Sequence, residues 1–356
     1  MKAAFRTAQN FCQRFGLRVP ILLAPMAGAS APTLSIAVSQ AGGLGACGAL
    51  SMKSDEILAW AAEFRRVSDG PFQINLWIPD PPPERNAAQE ARVREFLAGW
   101  GPAPPAEAGD AAPPDFDEQC EALLAVSPAI VSSIMGLYPP PFVTRLKERG
   151  ITWFATISTV AEARAAETAG ADVIVAQGME AGGHRGCFDA DRAEREQVGL
   201  FALVPAVRDA VKLPLVATGG IADGRGIAAA FVLGADAVQI GTAFLACPEA
   251  KIHPGWAKAL EGAAPENTVI SRVFSGRAAR SLATEYVRAA TSAVAPPPAP
   301  YPVQRGLTSA MRAEAQKTGD VQRMQAWAGQ SARLAHAIPA AEVVRRLWGE
   351  ARQILS

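Results

Sequence analysis

The chain has 356 residues, of which 49% are apolar and 19% are charged, and 34 basic residues balance 34 acidic ones. A net charge of zero gives no electrostatic reason to expect nucleic acid or an anionic membrane as a partner. Five scattered cysteines without a C-x-x-C pair indicate neither disulfides nor a metal site, and they favour a cytoplasmic setting. The first twenty residues lack the apolar core of a secretory signal, and no apolar run is long enough for a membrane span.

Eight short apolar runs without strict alternation recur along the chain, as expected of strands that are buried on both faces in a parallel sheet. They lie at 21–24, 45–48, 72–77, 129–132, 152–156, 173–176, 215–218 and 237–240. Helices are predicted between several of them, at 33–40, 54–66, 160–168, 200–211 and 226–233. This alternation predicts an α/β fold of the TIM (β/α)8 barrel type, with a doubly wound open sheet as the alternative.

Two segments interrupt the alternation of strands and helices. Residues 79–116 are rich in proline, alanine and glycine around one polar helix at 84–96, and they are interpreted as an insertion in a barrel that occupies residues 1–250. Residues 251–336 are expected to form a smaller, mostly helical subdomain that covers the site. Residues 337–356 contain a terminal helix, 340–355, that is expected to return to the barrel. The chain is expected to be a monomer or a homodimer.

Glycines cluster at the predicted carboxyl ends of the last two strands, where barrel enzymes carry their chemistry. The seventh strand is followed by Gly219 and Gly220, and the eighth by Gly241 and Thr242. Backbone amides at this place commonly hold a phosphate, because glycine lets the backbone approach a ligand closely. The clusters therefore predict a phosphate site, while Asp223 is expected to cap the helix that follows.

The ends of the earlier strands offer contacts for a flat heterocycle. Pro25, Met26 and Ala27 follow the first strand, where a ring can lie against the backbone. Asn75 and Gln177 provide amides that can donate and accept hydrogen bonds at a ring edge. For Asn75, satisfaction by a neighbouring loop is an equally good interpretation.

His184 lies in a glycine-dense loop at the mouth of the predicted barrel and is one of three histidines. An imidazole titrates near neutrality, with an unperturbed pKa of about 6.5, so His184 is predicted to be a catalytic acid/base. His253, next to a proline, and His336, in a predicted helix, are interpreted as structural or solvated. Cys187 raises a Cys–His nucleophile as a minor alternative.

Three motifs carry a resemblance to a known family. They are Q-G-x-E-A-G-G-H-x-G (177–186), A-T-G-G-I-A-D-G (217–224) and G-A-D-A-V-Q-I-G-T-A-F-L (234–245). They resemble the nitronate monooxygenases, and the likeness extends to W-A-G-Q (327–330). The resemblance implies a TIM barrel that binds flavin mononucleotide (FMN), with a second domain contributing to the active site.

The resemblance also implies roles for individual residues. FMN contacts are expected from Asn75, Gln177, Gly182, Gly220, Gln239, Ile240, Gly241 and Thr242, and we add Pro25, Met26, Ala27, Gly183 and Gly219 from their positions. His184 matches the family's catalytic histidine. The family converts alkyl nitronates, and in some members neutral nitroalkanes, with O₂ to a carbonyl compound and nitrite.

The motif at 177–186 is shared with other flavin enzymes. It also resembles FMN-dependent enoyl-acyl-carrier-protein reductases and flavin quinone reductases, so an NAD(P)H-dependent reductase is the alternative function. A flavin-binding module without catalysis is a third. The segment 307–330 is more similar to the monooxygenases.

The chain departs from the family pattern at the end of the fourth strand. Many members place a histidine there after a serine, whereas here Ile134 follows Ser132 and Ser133. Substrate contacts are therefore expected from Ile134 itself, from Tyr138 just past that strand, and from Tyr301 after a proline-rich joint.

Overall fold

The strands close into a barrel. The computed structural model describes residues 2–29 and 31–356, and within them eight parallel strands are hydrogen-bonded in the order β1-β9-β8-β6-β5-β4-β3-β2. The strands are β1 (Ile21–Leu23), β2 (Gly45–Gly48), β3 (Phe72–Trp77), β4 (Ile130–Ile134), β5 (Thr152–Ile157), β6 (Val173–Gln177), β8 (Leu215–Thr218) and β9 (Ala237–Ile240). A parallel bridge between Leu22 and Leu44 joins the two ends of this order. The predicted TIM barrel is confirmed, and the open sheet is wrong.

The structure describes fourteen α-helices, and several of them cover the outer face of the barrel. They are α1 (Lys2–Phe15), α2 (Pro32–Gln40), α3 (Ser54–Val67), α4 (Ala87–Ala98), α5 (Phe116–Val126), α6 (Pro140–Glu148), α7 (Val160–Thr168), α8 (Leu200–Ala210), α9 (Gly224–Val232), α10 (Pro254–Glu261), α11 (Glu285–Ala290), α12 (Val303–Leu307), α13 (Ser309–Thr318) and α14 (Ala340–Leu355). Thr159 caps α7 and Asp223 caps α9, because each side chain accepts a hydrogen bond from a backbone amide in the first turn. The predicted capping role of Asp223 is confirmed. None of the described helices is long and apolar enough to cross a membrane.

The barrel strands are apolar because both of their faces are buried. Every residue of β6 and of β8 is buried. One face packs in the barrel interior and the other against the helices, which leaves no face for alternating polar residues. This explains why the strand positions could be predicted from short apolar runs.

Helix α1 closes the amino-terminal end of the barrel, and the sequence analysis did not predict it. Phe11 and Leu17 are buried in one cluster with Leu22 and Phe154 of the strands. The ring of Phe15 lies 5.2 Å from that of Phe154. With this end filled by side chains, the site belongs at the opposite, carboxyl end of the strands.

Residues 251–336 contain the helices α10 to α13 among long connections, and they also contribute an antiparallel sheet that was not predicted. It pairs β10 (Thr268–Ser271) with β11 (Ala279–Leu282), and β11 with β7 (Gly183–His184) from the loop after β6. In this way the C-terminal region holds the loop that carries His184. The helix predicted around His336 is wrong, because that residue follows a short 3₁₀ turn and lies in an extended connection.

The insertion and the terminal helix pack in different places. Val93 and Leu97 of α4 share a buried cluster with Val303 and Leu307 of α12, so the insertion joins the C-terminal region. Helix α14 packs against α9 on the barrel, where the ring of Trp348 lies 6.2 Å from that of Phe231.

Candidate active site

A cavity of about 380 Å³ opens at the carboxyl ends of the barrel strands. Most of the predicted site residues line it. These are Pro25, Met26, Ala27, Asn75, Ile134, Gln177, Gly182, Gly183, His184, Gly219, Gly220, Gln239, Gly241 and Thr242. Among the described residues, no aspartate or glutamate lines the cavity, whereas Arg305 and Arg312 do. The cavity wall therefore carries positive charge.

One side of the cavity is a cradle of glycine backbone. Gly219 (φ 114°) and Gly220 (φ 70°) adopt left-handed conformations that favour glycine. Within the described chain, the amides of Gly219, Gly220 and Gly241 donate no hydrogen bond to protein. Unpaired amides on adjacent loops form a concavity that attracts an anion such as a phosphate.

Two side-chain amides offer one acceptor and one donor to a ligand. Asn75 Nδ2 donates to Ser132 Oγ at 3.0 Å, and Asn75 Oδ1 remains without a partner in the described structure. Gln239 Oε1 accepts from Gln73 Nε2 at 3.0 Å, and Gln239 Nε2 remains available. This complementary pair suits the edge of a heterocycle.

Gln177 holds the histidine loop. Its Oε1 accepts from the amide of Gly186 at 2.7 Å, and its Nε2 donates to the carbonyl of His184 at 3.1 Å. Both the oxygen and the nitrogen of the Gln177 amide, which was expected to face a cofactor, are therefore hydrogen-bonded to the loop. One N–H of Nε2 is left to bind a ligand.

The loop after β6 lies directly against the W-A-G-Q segment. A Cβ on Gly182 would lie 2.5 Å from the amide nitrogen of Gly329, so neither backbone leaves room for a side chain at this contact. The carbonyl of Glu180 accepts from the amide of Gln330 at 3.0 Å. The motifs at 177–186 and 327–330 are about 150 residues apart in the sequence. Each contains a glycine at the point where their backbones are in contact.

The ring of His184 lies between two tryptophans. Its centroid is 4.7 Å from that of Trp77 and 5.1 Å from that of Trp327. His184 Nε2 is 2.8 Å from the hydroxyl oxygen of Ser275, and Nδ1 has no hydrogen-bond partner among the described residues.

The same surroundings keep His184 neutral. Burial, with a further contribution from the positive charges of Arg277 and Arg305, lowers the pKa of His184 to about 3. The imidazole is therefore in its proton-accepting form at neutral pH.

Trp77 also lines a second cavity of about 320 Å³, whose wall includes several prolines of 79–83 and 113–114. Tyr301 stacks on Trp77 with ring centroids 4.8 Å apart, and it lines the second cavity. The guanidinium of Arg277 lies 5.8 Å from the Trp77 ring, and its Nε is 3.4 Å from a carboxylate oxygen of Asp80.

Two predicted contacts are contradicted by the structure. Tyr138 is buried outside the cavity, where it packs against Phe142 and Trp153 and its hydroxyl donates to the carbonyl of Ser132 at 3.0 Å. It follows the strand on the outer side of the barrel, which a short apolar run does not specify. The side chain of Ile240 points into the core, and its carbonyl already accepts from Ala24, so it does not line the cavity.

Cys187 and His253 were the other reactive side chains considered from the sequence, and neither has a catalytic role in the structure. Burial, with the charge of Glu162 second, raises the pKa of the Cys187 thiol to about 11, and Cys187 does not line the cavity. A Cys–His nucleophile is therefore wrong. His253 accepts from the amide of Gly255 at 3.0 Å and caps α10, which confirms a structural role.

Several residues of the site were missed from the sequence. Trp77 had a signal, because it follows Asn75 by two positions in one strand and such residues share a face. Ser275 and Arg305 had none, since the fold brings them to the barrel from 91 and 121 residues beyond His184.

A closed (β/α)8 barrel, an anion cradle at its last two strands and a neutral histidine in the same cavity define a cofactor-binding TIM-barrel enzyme. The model of the nitronate monooxygenase family matches residues 10–350. A nitronate monooxygenase of Paraburkholderia phytofirmans is 41% identical over 346 residues, covering 95% of this chain and 93% of that protein. The chain belongs to the nitronate monooxygenase family, and it is accordingly an oxidoreductase of a family of flavin enzymes that act on nitronates.

Solved structures agree with this assignment. The nitroalkane oxidase of Streptomyces ansochromogenes superposes with a TM-score of 0.86 at 37% identity, covering 96% of this chain and 98% of that one. FabK of Thermotoga maritima is less similar, with a TM-score of 0.76 at 30% identity, covering 97% and 96%.

Proposed function

We propose that this chain binds FMN and oxidises alkyl nitronates with O₂ to carbonyl compounds and nitrite, and that His184 is the base that deprotonates neutral nitroalkanes. The observation that carries the proposal is the placement of a neutral His184 in the same cavity as the unpaired amides of Gly219, Gly220 and Gly241. The cradle suits the phosphate of the cofactor, and the histidine suits proton transfer beside it.

The residues present fit FMN. Gly219, Gly220, Gly241 and Thr242 would hold the phosphate, and Thr242 Oγ1 is fixed by accepting from the Gly329 amide at 3.0 Å. The free acceptor of Asn75 and the free donor of Gln239 would meet the edge of the ring system. When bound, the flavin supplies the redox chemistry with O₂.

His184 would accept the α-proton of a nitroalkane at Nδ1. Ser275 holds Nε2, which leaves Nδ1 as the nitrogen that can face a substrate. Formation of an imidazolium in this site is costly by itself because the ring is enclosed by Trp77 and Trp327. It becomes favourable when a nitronate anion forms next to it, since the two opposite charges then stabilise each other.

Ile134 would contact the alkyl group of the substrate. It lines the cavity at the end of β4, where the resembling enzymes place a second histidine. Tyr301 would act on the substrate only through Trp77, because it lies on the other side of that ring. The partners are thus a small molecule and O₂, and the free, buried cysteines are consistent with the proposed cytoplasmic setting.

An anaerobic experiment tests the proposal. The purified protein is mixed separately with propyl-2-nitronate, NADH and NADPH while the flavin absorbance is followed, and the released flavin is identified by mass spectrometry. Loss of the flavin absorbance with nitronate alone, followed by nitrite when O₂ is admitted, is the expected result. Rapid loss with NADH or NADPH and no response to nitronate would assign the chain to the reductases instead.

A further inference from the structure

The cavity holds positive charge that no protein group neutralises. Arg305 and Arg312 both line it, and no acidic side chain does so within the described ranges. Arg312 donates to the carbonyl of Arg305 at 2.9 Å, and burial, followed by the charge of Arg305, lowers the pKa of Arg312 to about 10. Like charges held together in a partly buried site favour an anion as the missing partner.

The two arginines differ in their contacts. Arg312 is fixed by its bonds, since it donates to Thr308 Oγ1 at 3.1 Å, to Gln325 Oε1 at 3.1 Å and to the carbonyl of Arg305 at 2.9 Å. The guanidinium of Arg305 forms no hydrogen bond or ion pair with any residue that the structure describes. Arg305 therefore has its full set of donors available to a ligand.

Arg305 lines the same cavity as His184. Its charge acts on His184 and on Tyr301, which stacks against Trp77 beside the histidine. The glycine cradle is held by contacts of its own, since Gly220 is bonded to Ser331 and Thr242 to Gly329. At the end of β4, the same cavity is lined by the apolar side chain of Ile134, which offers no hydrogen bond to a polar substrate group.

We propose that Arg305 binds the two oxygen atoms of the substrate's nitro group and makes this chain selective for anionic nitronates over neutral nitroalkanes. A guanidinium matches a planar group with two oxygens through two parallel hydrogen bonds, and the match is strongest when the group is anionic. The proposal rests on the proposed function and adds the group that recognises the charge of the substrate.

The test compares Arg305→Gln and Arg305→Lys with the wild type. Arg333→Gln is the matched control, because Arg333 is exposed and does not line the cavity. For each protein the KM and kcat are measured with propyl-2-nitronate and with 2-nitropropane. Binding of inorganic nitrate, a planar oxyanion, is measured by calorimetry, and FMN affinity by fluorescence titration.

Arg305→Gln is expected to raise the KM for the nitronate and to weaken nitrate binding by about 10- to 100-fold, the usual effect of losing a charged hydrogen bond. The KM for 2-nitropropane and the affinity for FMN should change less than threefold, and Arg305→Lys should be intermediate because it keeps the charge but not the paired donors. Since the side chain has no protein partner, its replacement leaves no protein group unpaired.

Unchanged nitronate KM and nitrate affinity in Arg305→Gln would overturn the proposal. A loss of FMN affinity without a change in nitronate KM would also overturn it, since Arg305 would then bind the cofactor phosphate. If the wild type does not oxidise propyl-2-nitronate, the proposed function is wrong. In that case the calorimetry with nitrate still measures whether Arg305 binds a planar oxyanion.

Discussion

At the scale of single residues, the surroundings of His184 determine what its ring can do. Two tryptophan rings pack against it, and nearby arginines oppose a positive charge on it. The ring therefore takes up a proton only when a negative charge appears next to it, as happens when a nitroalkane becomes a nitronate. A base of this kind depends on its substrate for the stability of its protonated form.

Replacement of His184 by Asn separates the two substrate types. Asn keeps a polar side chain of similar shape but has no basic nitrogen, so turnover of 2-nitropropane should fall by ~10²-fold or more. Turnover of propyl-2-nitronate, which is already deprotonated, should fall much less. FMN content, measured from the absorbance of the purified protein, should stay unchanged. Equal losses on both substrates would refute the role of His184 as the base.

Ser275 is predicted to act as a positioning residue for His184. Ser275→Ala removes the partner of Nε2 at 2.8 Å, so kcat for 2-nitropropane should fall by up to about 10-fold, the value of one hydrogen bond, with KM nearly unchanged. Ser275→Thr keeps the hydroxyl and should recover most of the activity.

Ser292→Ala serves as the control for Ser275→Ala, because Ser292 is exposed and does not line the cavity. An Ala variant of Ser275 with normal kcat, or a Thr variant as slow as the Ala variant, would show that the hydroxyl does not position the ring.

At the scale of elements, the site is held by contacts between the loop after β6 and the C-terminal region. The two-residue strand β7 carries His184 and pairs with β11, while Gln177 at the end of β6 holds both flanks of the same loop. The histidine is thus attached to the barrel on one side and to residues 268–282 on the other. The C-terminal region is part of the site and more than a cover for it.

The contact of Gly182 with Gly329 can be tested by adding a single methyl group. In Gly182→Ala the Cβ would lie 2.5 Å from a backbone nitrogen and 2.6 Å from a backbone carbon, which cannot move as a side chain can. The free energy of unfolding in urea should fall by about 1–3 kcal/mol, and FMN affinity should fall with it.

Gly349→Ala is the opposite case and serves as the control. Gly349 lies exposed inside α14 with nothing within 4 Å of an added Cβ, so alanine should raise the free energy of unfolding by about 0.5–1 kcal/mol. Gly182→Ala with wild-type stability would mean that the loop and residues 327–330 do not touch in solution.

At the scale of the whole molecule, the barrel was predictable because its strands are apolar on both faces and each is followed by a helix. The run at 72–77 matches β3 at both ends, and the run at 215–218 matches β8. Glycine clusters at the strand ends located the cavity for the same reason, since a barrel places all such ends on one side.

The site residues that could not be predicted are placed by contacts between distant parts of the chain. Arg305 lines the cavity of His184 from α12, which packs on the insertion after β3, and a sequence pattern contains no record of that packing. Tyr138 was misplaced because a residue just past a strand can turn to either side of the barrel. Only the neighbouring rings of Phe142 and Trp153 decide which side it takes.

The neutral state of His184 also affects the stability of the fold in acid. In the unfolded chain the imidazole titrates near 6.5, whereas in the fold its pKa is lowered to about 3. Between these values the unfolded chain binds the proton and the native protein does not, so stability falls as the pH falls through this window. From pH 7.5 to pH 5 this residue alone should cost up to about 2 kcal/mol of unfolding free energy.

Urea unfolding of the wild type and of His184→Asn at pH 7.5 and pH 5, at equal flavin content, measures this contribution. The variant should lose less stability over the interval by up to about 2 kcal/mol, because the other titrating groups are common to both proteins and cancel in the comparison. An equal loss in both proteins would mean that the pKa of His184 in the native state is not lowered and stays near its unfolded value. The tryptophans and arginines around the ring would then not oppose a positive charge on it, so the unfolding experiment tests this feature of the mechanism without any substrate.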